Sequence, residues 1–175
     1  MFSEPAKIVE QCGIQAGMDI ADFGAGSGHY SLAVAKALRS TGRVYAIEVQ
    51  KDLLTKLKNH AVQEGIYNIE VIWGDLEKMN GTKLRDMSVD MVFICNVFFQ
   101  LEDKETPIKE AKRILKPGGK IVFVEWSESF GGIGPHAKSV FKKDKASPFF
   151  EKMGFHVDRE IHAGSHHYGF IFKKL

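Results

Sequence analysis

The sequence predicts a doubly wound α/β fold: a seven-stranded, mostly parallel sheet with helices on both faces and an antiparallel strand at its C-terminal end. Three observations carry that expectation. Asp19-Ile20-Ala21-Asp22 is an apolar run with an acid at its end that breaks into a loop with glycines at 24, 26 and 28. Strand-like and helix-like stretches then alternate as far as Trp126. Val89 to Cys95 (VDMVFIC) is the most continuously apolar segment, the pattern of a strand covered on both faces in a parallel sheet.

In chain order, Ser3 is placed to cap a short helix through Pro5, Ile8 and Val9 to Cys12, with Gly13 as its stop, because proline suits a first turn and glycine a helix end. Asp19 to Asp22 is the first strand. Tyr30 to Arg39 has helical periodicity and closes at Gly42; Arg43 to Glu48 is the second strand. Asp52 to Glu64 places Leu53, Leu54, Leu57 and Ala61 on one helical face, with Gly65 after it. Ile69 to Trp73 is a third strand ending at Gly74-Asp75, and the polar segment Glu77 to Ser88 carries no readable periodicity.

Val89 to Cys95 is the fourth strand. Thr106-Pro107 opens a helix through Ala111, Ile114 and Leu115 that Pro117-Gly118-Gly119 terminates, and Lys120 to Trp126 is the fifth strand. Phe130 to Pro135 (FGGIGP) is a glycine-rich connection, and Pro148 to Met153 a short helix ended by Gly154. Phe155 to Ile161 and Tyr168 to Lys173, joined through Gly164, read as an antiparallel pair. The 175 residues suggest a single domain, 1–175, with enough apolar content at 44% for a substantial core.

A net charge of +2 makes the chain as a whole a poor electrostatic trap for nucleic acid or acidic membrane. Cys12 and Cys95 match no zinc or disulfide framework, which suits a reducing cytoplasm, and no stretch has membrane-spanning length or the make-up of a leader. His162, His166 and His167 lack a cysteine or acid at ligand spacing, so they are taken as polar loop positions and no metal is expected. Lys138 to Lys145 (KSVFKKDK) reads as a solvated basic face.

Alternate glycines let backbone approach a ligand closely, with the amides pointing into a cavity at the start of the next helix, so a nucleotide-like cofactor is the first expectation at Gly24-Ala25-Gly26-Ser27-Gly28. The spacing differs from the G-x-G-x-x-G of dinucleotide sites. In a doubly wound order the first and fourth strands are neighbours, and the ligand lies across the carboxyl ends of the strands. Glu48 falls there, 20 residues beyond Gly28, where a carboxylate can accept hydrogen bonds from ribose hydroxyls. Asp75 can accept from an adenine amine while Leu76 donates its N–H, and Asn96 ends the fourth strand.

Taken together, Asp22 with its glycines, Glu48, Gly74-Asp75, Asn96 and Lys116-Pro117-Gly118-Gly119 resemble the motif series of the class I S-adenosylmethionine-dependent methyltransferases. The segment Val89 to Trp126 is most similar to the branch holding the quinone-biosynthesis and arsenite methyltransferases. The resemblance implies S-adenosylmethionine as cofactor, with Asp22, Gly24, Gly26 and Gly28 at its methionine moiety, Glu48 at the ribose, Asp75 and Leu76 at the adenine, and Cys95 and Asn96 beside the sulfonium. Ala25 and Val49 join the cofactor-binding set.

The implied reaction is methyl transfer by in-line displacement to a small-molecule acceptor. It leans on positioning and water exclusion rather than on an obligatory base. Asn96 is then the positioning residue, and Phe98, Phe99, Trp126 and His136 are candidate walls of the acceptor pocket. Two departures from the family keep other readings open. The lid segments are short, which allows a cofactor-binding protein without turnover. Residues 136–175 hold eight Lys or Arg against four Asp or Glu, which allows an RNA or protein acceptor. The Asn-Pro-Pro-aromatic signature of amino-directed nucleic-acid methyltransferases is absent, with Asn96-Val97-Phe98-Phe99 in its place.

Overall fold

The computed structural model describes residues 3–175. Its strands are β1 (Asp19–Phe23), β2 (Arg43–Glu48), β3 (Ile69–Trp73), β4 (Val89–Cys95), β5 (Leu115–Trp126), β6 (Phe155–Ile161) and β7 (His167–Lys174). They form one seven-stranded sheet in the order β3-β2-β1-β4-β5-β7-β6. β1 to β5 run parallel, and β7 is antiparallel to both β5 and β6. The doubly wound expectation therefore holds, antiparallel strand included, and β1 and β4 meet at the switch point.

The helices are α1 (Pro5–Glu10), α2 (His29–Ala37), α3 (Lys51–Gln63), α4 (Glu105–Ile114) and α5 (Lys143–Lys152). β4 shows why the sheet needs cover on both sides: Val92 and Ile94 join the core under α4 and α5, while Phe93 and Cys95 join the core under α1 and α2. The α4/α5 side is packed by Phe23, Phe98, Phe123, Phe150, Phe155 and Phe172, all at 0% exposure. Burial of each such ring contributes about 1.5–3 kcal/mol.

Five local expectations are corrected. Glu4, not Ser3, is the N-cap of α1, without a side-chain cap bond, and the helix ends at Glu10. α4 stops at Ile114, and Leu115 already belongs to β5, pairing with Val89 before Met91 pairs with Lys120. Pro117 has no N–H for the ladder and Gly118 sits at φ +72°, so Lys116 to Gly119 form an irregularity inside the strand rather than a boundary before it. α5 begins at Lys143, with Pro148 inside it; full burial of Ala146 and Phe150 outweighs the hydrogen bond that proline removes. His167 is not a loop residue but opens β7, at 6% exposure.

The unreadable segment Glu77 to Ser88 is irregular because its backbone is satisfied by side chains. Fully buried Glu110 of α4 accepts the N–H of Asn80 at 3.0 Å and the hydroxyl of Thr82 at 2.7 Å, and Arg113 donates to it through Nε at 2.9 Å. Local periodicity carries no trace of a bond spanning about 30 residues. This network pins the segment that begins with Asp75 and Leu76.

Candidate functional site

A cavity of about 760 Å³ opens at the carboxyl ends of the central strands. Asp22, Gly24, Ala25, Gly26, Glu48, Val49, Asp75, Leu76, Cys95 and Asn96 line it, so ten of the eleven residues expected to bind cofactor converge on one space. The exception is Gly28. It is the left-handed N-cap of α2 at φ +96°, and a Cβ there would lie 2.4 Å from Leu57 Cγ, so its smallness seats α2 against α3 rather than facing the cavity.

The loop after β1 is built differently from an anion cradle. The N–H groups of Gly24 and Ala25 both donate to the carbonyl of Ile47, at 2.9 and 3.0 Å, the Gly26 N–H donates to Glu48 Oε2 at 2.9 Å, and the Gly28 N–H donates to Ala25 at 2.9 Å. The expectation that the loop amides point into the cavity is therefore corrected: the end of β2 takes those of Gly24, Ala25 and Gly26, and Ala25 takes that of Gly28. Gly24 supplies space instead, since a Cβ there would meet Val97 Cγ2 at 2.6 Å.

Glu48, at 8% exposure, also accepts the N–H groups of Val49 and Gln50 on Oε1, at 2.9 and 3.0 Å. Three backbone donors fix its carboxylate and leave Oε2 one further acceptor site for a ligand hydroxyl. Asp22, at 3% exposure, accepts a 2.6 Å hydrogen bond from Ser31 Oγ, and burial pushes its carboxyl up to about 7, with Glu48 adding to the rise. Asp75 accepts the Glu77 N–H at 3.0 Å and faces Lys78 at 3.6 Å, so it caps its own turn at the cavity rim.

At the other end, burial raises the Cys95 thiol well above its usual range. Asn96 sits at φ +57°, and its Oδ1 is buried without a hydrogen-bond partner. Tyr30, on the first turn of α2, lines the cavity beside them, and its hydroxyl likewise lacks an aligned partner. Tyr30, His29 and Gln100 were not anticipated as lining residues; the position of Tyr30 two residues after the last loop glycine is the signal that could have found it.

The four aromatic candidates for the acceptor wall do not line this cavity. Phe98 is fully buried among Phe141 at 4.8 Å, Phe123 at 5.2 Å and Phe149 at 5.5 Å, because the 3-10 turn Phe98–Gln100 carries it inward. Phe99 is half-buried and is held by its N–H, which donates to Glu125 at 3.2 Å. Trp126 lies against His167 at 4.2 Å on the next strand. His136 is exposed, ahead of the turn Ala137–Ser139.

The histidines are dispersed in role. His166 approaches Glu128 at 3.2 Å, His162 donates its N–H to Gln11 Oε1 at 2.9 Å, and both ring nitrogens of His167 are buried without partners, with burial lowering its imidazole to about 4.

The lining includes four carboxylates, Asp22, Glu48, Asp75 and Glu77, and no Lys or Arg. A pyrophosphate would find neither a cation nor a free row of loop amides here. A cationic ligand carrying hydroxyl and amino donors fits this acceptor-rich lining.

Fold and site together define a class I, S-adenosylmethionine-type methyltransferase domain. The family model described as a methyltransferase domain matches residues 14–164, and the chain belongs to that family. It is 29% identical, over 81% of its length and 55% of the relative's, to the ubiquinone/menaquinone biosynthesis C-methyltransferase UbiE of Chromobacterium violaceum. It is 30% identical, over 64% of its length and 35% of the relative's, to the arsenite methyltransferase of Aquipseudomonas alcaligenes. The chain thus spans about half the length of the first relative and a third of the second. A solved S-adenosylmethionine-dependent methyltransferase from Aquifex aeolicus superposes with a TM-score of 0.89 at 26% identity, covering 99% of this chain and 91% of that one. S-adenosylmethionine is accordingly the cofactor of this fold and family, and the quinone and arsenite resemblance read from the sequence is matched by the relatives.

Proposed function

We propose that the chain, as a single domain, transfers a methyl group from S-adenosylmethionine to a small-molecule acceptor. The observation that carries this reading is the acid at the end of each of β1, β2 and β3, all lining one cavity that no Lys or Arg lines. When bound, the cofactor supplies a methyl carbon on a positively charged sulfur leaving group. Asp22 and Glu48 provide ionic and hydrogen-bonding acceptors for it, and Leu76 and Val97, at 7% and 4% exposure, shield one side from water. Asn96, which lines the cavity at the end of β4, is the residue placed to orient the acceptor. No general base is assigned.

The relatives' printed substrates, a quinone precursor and arsenite, both favour a small acceptor over RNA or protein. The pairing of C-terminal cations supports this: Lys152 with Glu105 at 3.4 Å, Arg159 with Asp158 at 2.9 Å, and Lys143 with Glu160. Cys12 and Cys95 are both buried free thiols, in keeping with a reducing cytoplasm. Among the described residues no helix is long and apolar enough to cross a membrane.

Isothermal titration tests the reading. S-adenosylmethionine and S-adenosylhomocysteine bind and NADH does not; binding of NADH alone defeats it. Transfer of labelled methyl into a cell metabolite pool separates an enzyme from a pure binder.

A further inference from the structure

We propose that Glu125 is a positioning residue for methyl transfer, holding the Asn96-to-Leu101 turn that forms the cavity wall beyond β4. The inference rests on the methyltransferase reading of that cavity. Glu125 lies at the carboxyl end of β5 at 0% exposure and does not itself line the cavity. Its Oε2 accepts the N–H of Phe99 at 3.2 Å, and its Oε1 accepts the N–H of Trp126 at 2.8 Å. One residue earlier, the carbonyl of Val124 accepts the N–H of Asn96 at 2.9 Å.

The turn after β4 is therefore tied to two successive residues of β5, by a main-chain bond and then by a side chain. Asn96, Val97, Gln100 and Leu101, all within that turn, line the cavity. Asn96 sits at φ +57°, a left-handed conformation that asparagine adopts more readily than most residues, and the two ties to β5 hold the turn there.

The chemistry asks for a carboxylate. The N–H groups of Phe99 and Trp126, with that of Phe98 also directed at the carboxylate, converge on two oxygens, so an amide of the same shape places its NH₂ against a donor in either orientation. Burial is unfavourable to the ionised form and, against the backbone donors and the charge of Lys104, pushes the carboxyl up to about 7. Glu110, the other fully buried glutamate among the described residues, makes the contrast, since it is ion-paired with Arg113 at 2.5 Å. A buried carboxylate that carries a desolvation cost and holds the cavity wall is better explained by the site than by stability.

The test compares Glu125→Gln with Phe155→Leu in the full chain, by titration with S-adenosylhomocysteine and by hydrogen exchange of the peptide covering 96–101. Glu125→Gln binds at least tenfold more weakly and exchanges faster at 96–101. Phe155→Leu, in the core beside α5 on the edge strand β6, melts at lower temperature yet keeps affinity within twofold and exchange at 96–101 unchanged. Should Glu125→Gln not fold, Glu125→Asp, which keeps both acceptor oxygens one methylene further back, replaces it with the same direction of effect expected. Affinity within twofold of wild type, or unchanged exchange at 96–101, overturns the proposal. Absence of S-adenosylhomocysteine binding by the wild type defeats the methyltransferase reading instead, and the exchange measurement alone then decides the role of Glu125.

Discussion

Glu48 Oε2 accepts the N–H of Gly26 at 2.9 Å, so the acid ending β2 fastens the glycine loop that follows β1. The same side chain thus shapes the cavity and faces whatever fills it. Glu48→Ala removes three backbone hydrogen bonds as well as the ligand contact. Affinity for S-adenosylhomocysteine by titration is expected to fall by about 1–3 kcal/mol. Glu48→Gln, which keeps one carbonyl acceptor, is expected to fall between alanine and wild type.

Asp22 links the site to pH. Its carboxyl is raised to about 7 in the fold, from about 3.9 in an unfolded chain. Between those values the folded state binds a proton that the unfolded state does not, so this group's contribution to stability is present below pH 4 and declines as pH rises to 7. The limiting slope is about 1.4 kcal/mol per pH unit. Denaturant melts of Asp22→Asn across that window should show a shallower fall than wild type. Ligand binding has the opposite sense: a cationic cofactor favours ionised Asp22, so S-adenosylmethionine affinity should rise from pH 6 to pH 8 and do so less in Asp22→Asn.

The loop glycines separate by role. Gly28→Ala sets a Cβ 2.4 Å from Leu57 Cγ at a positive φ, so it should destabilise the fold by more than the roughly 1–2 kcal/mol of backbone strain alone. Gly26→Ala meets nothing within 4 Å, and only the strain cost is expected in thermal melts. Equal melting losses in the two variants would contradict this assignment.

Phe98 serves packing rather than the acceptor. Phe98→Leu should lower the melting temperature while S-adenosylhomocysteine affinity stays within threefold. Phe98→Ala, leaving a cavity among four rings, is expected to cost about 3–5 kcal/mol. A large affinity loss in the folded leucine variant would return Phe98 to the binding site.

His167 is an unfavourable residue for stability, because both its ring nitrogens are buried without partners. His167→Phe keeps a planar ring beside Trp126 and should stabilise the fold by about 1–3 kcal/mol. The wild-type imidazole, lowered to about 4 from an unfolded value near 6.5, cannot take up the proton that the unfolded chain binds. Its contribution to stability therefore falls as pH drops from 6.5 to 4, and His167→Phe should remove that part of the acid loss.

Strand and helix identities were readable along the whole chain wherever a segment's neighbours in sequence also set its environment. β4 declared itself through unbroken apolarity and β2 through its short apolar run and terminal acid. The segment from Glu77 to Ser88 gave no such signal, since Glu110 and Arg113 of α4 settle its hydrogen bonds. Pro117-Gly118-Gly119 was read as a helix stop because local rules see the missing N–H, whereas pairing with β4 absorbs the irregularity within β5.

By itself the sequence determined the doubly wound sheet, its antiparallel strand, and ten side chains or loop positions that face one cavity. Those follow from patterns with a short reach: period two, period three to four, and acids or glycines at strand ends. Tertiary structure alone decided that the loop amides turn to β2 instead of the ligand, that Phe98 points into the core, and that Glu125 supports the wall beyond β4. Each of these depends on which partner arrives across the sheet, 22 to 26 residues away for the Gly26–Glu48 and Phe99–Glu125 bonds, and hydrogen-bond geometry at that range is set by packing rather than by the identity of neighbouring residues.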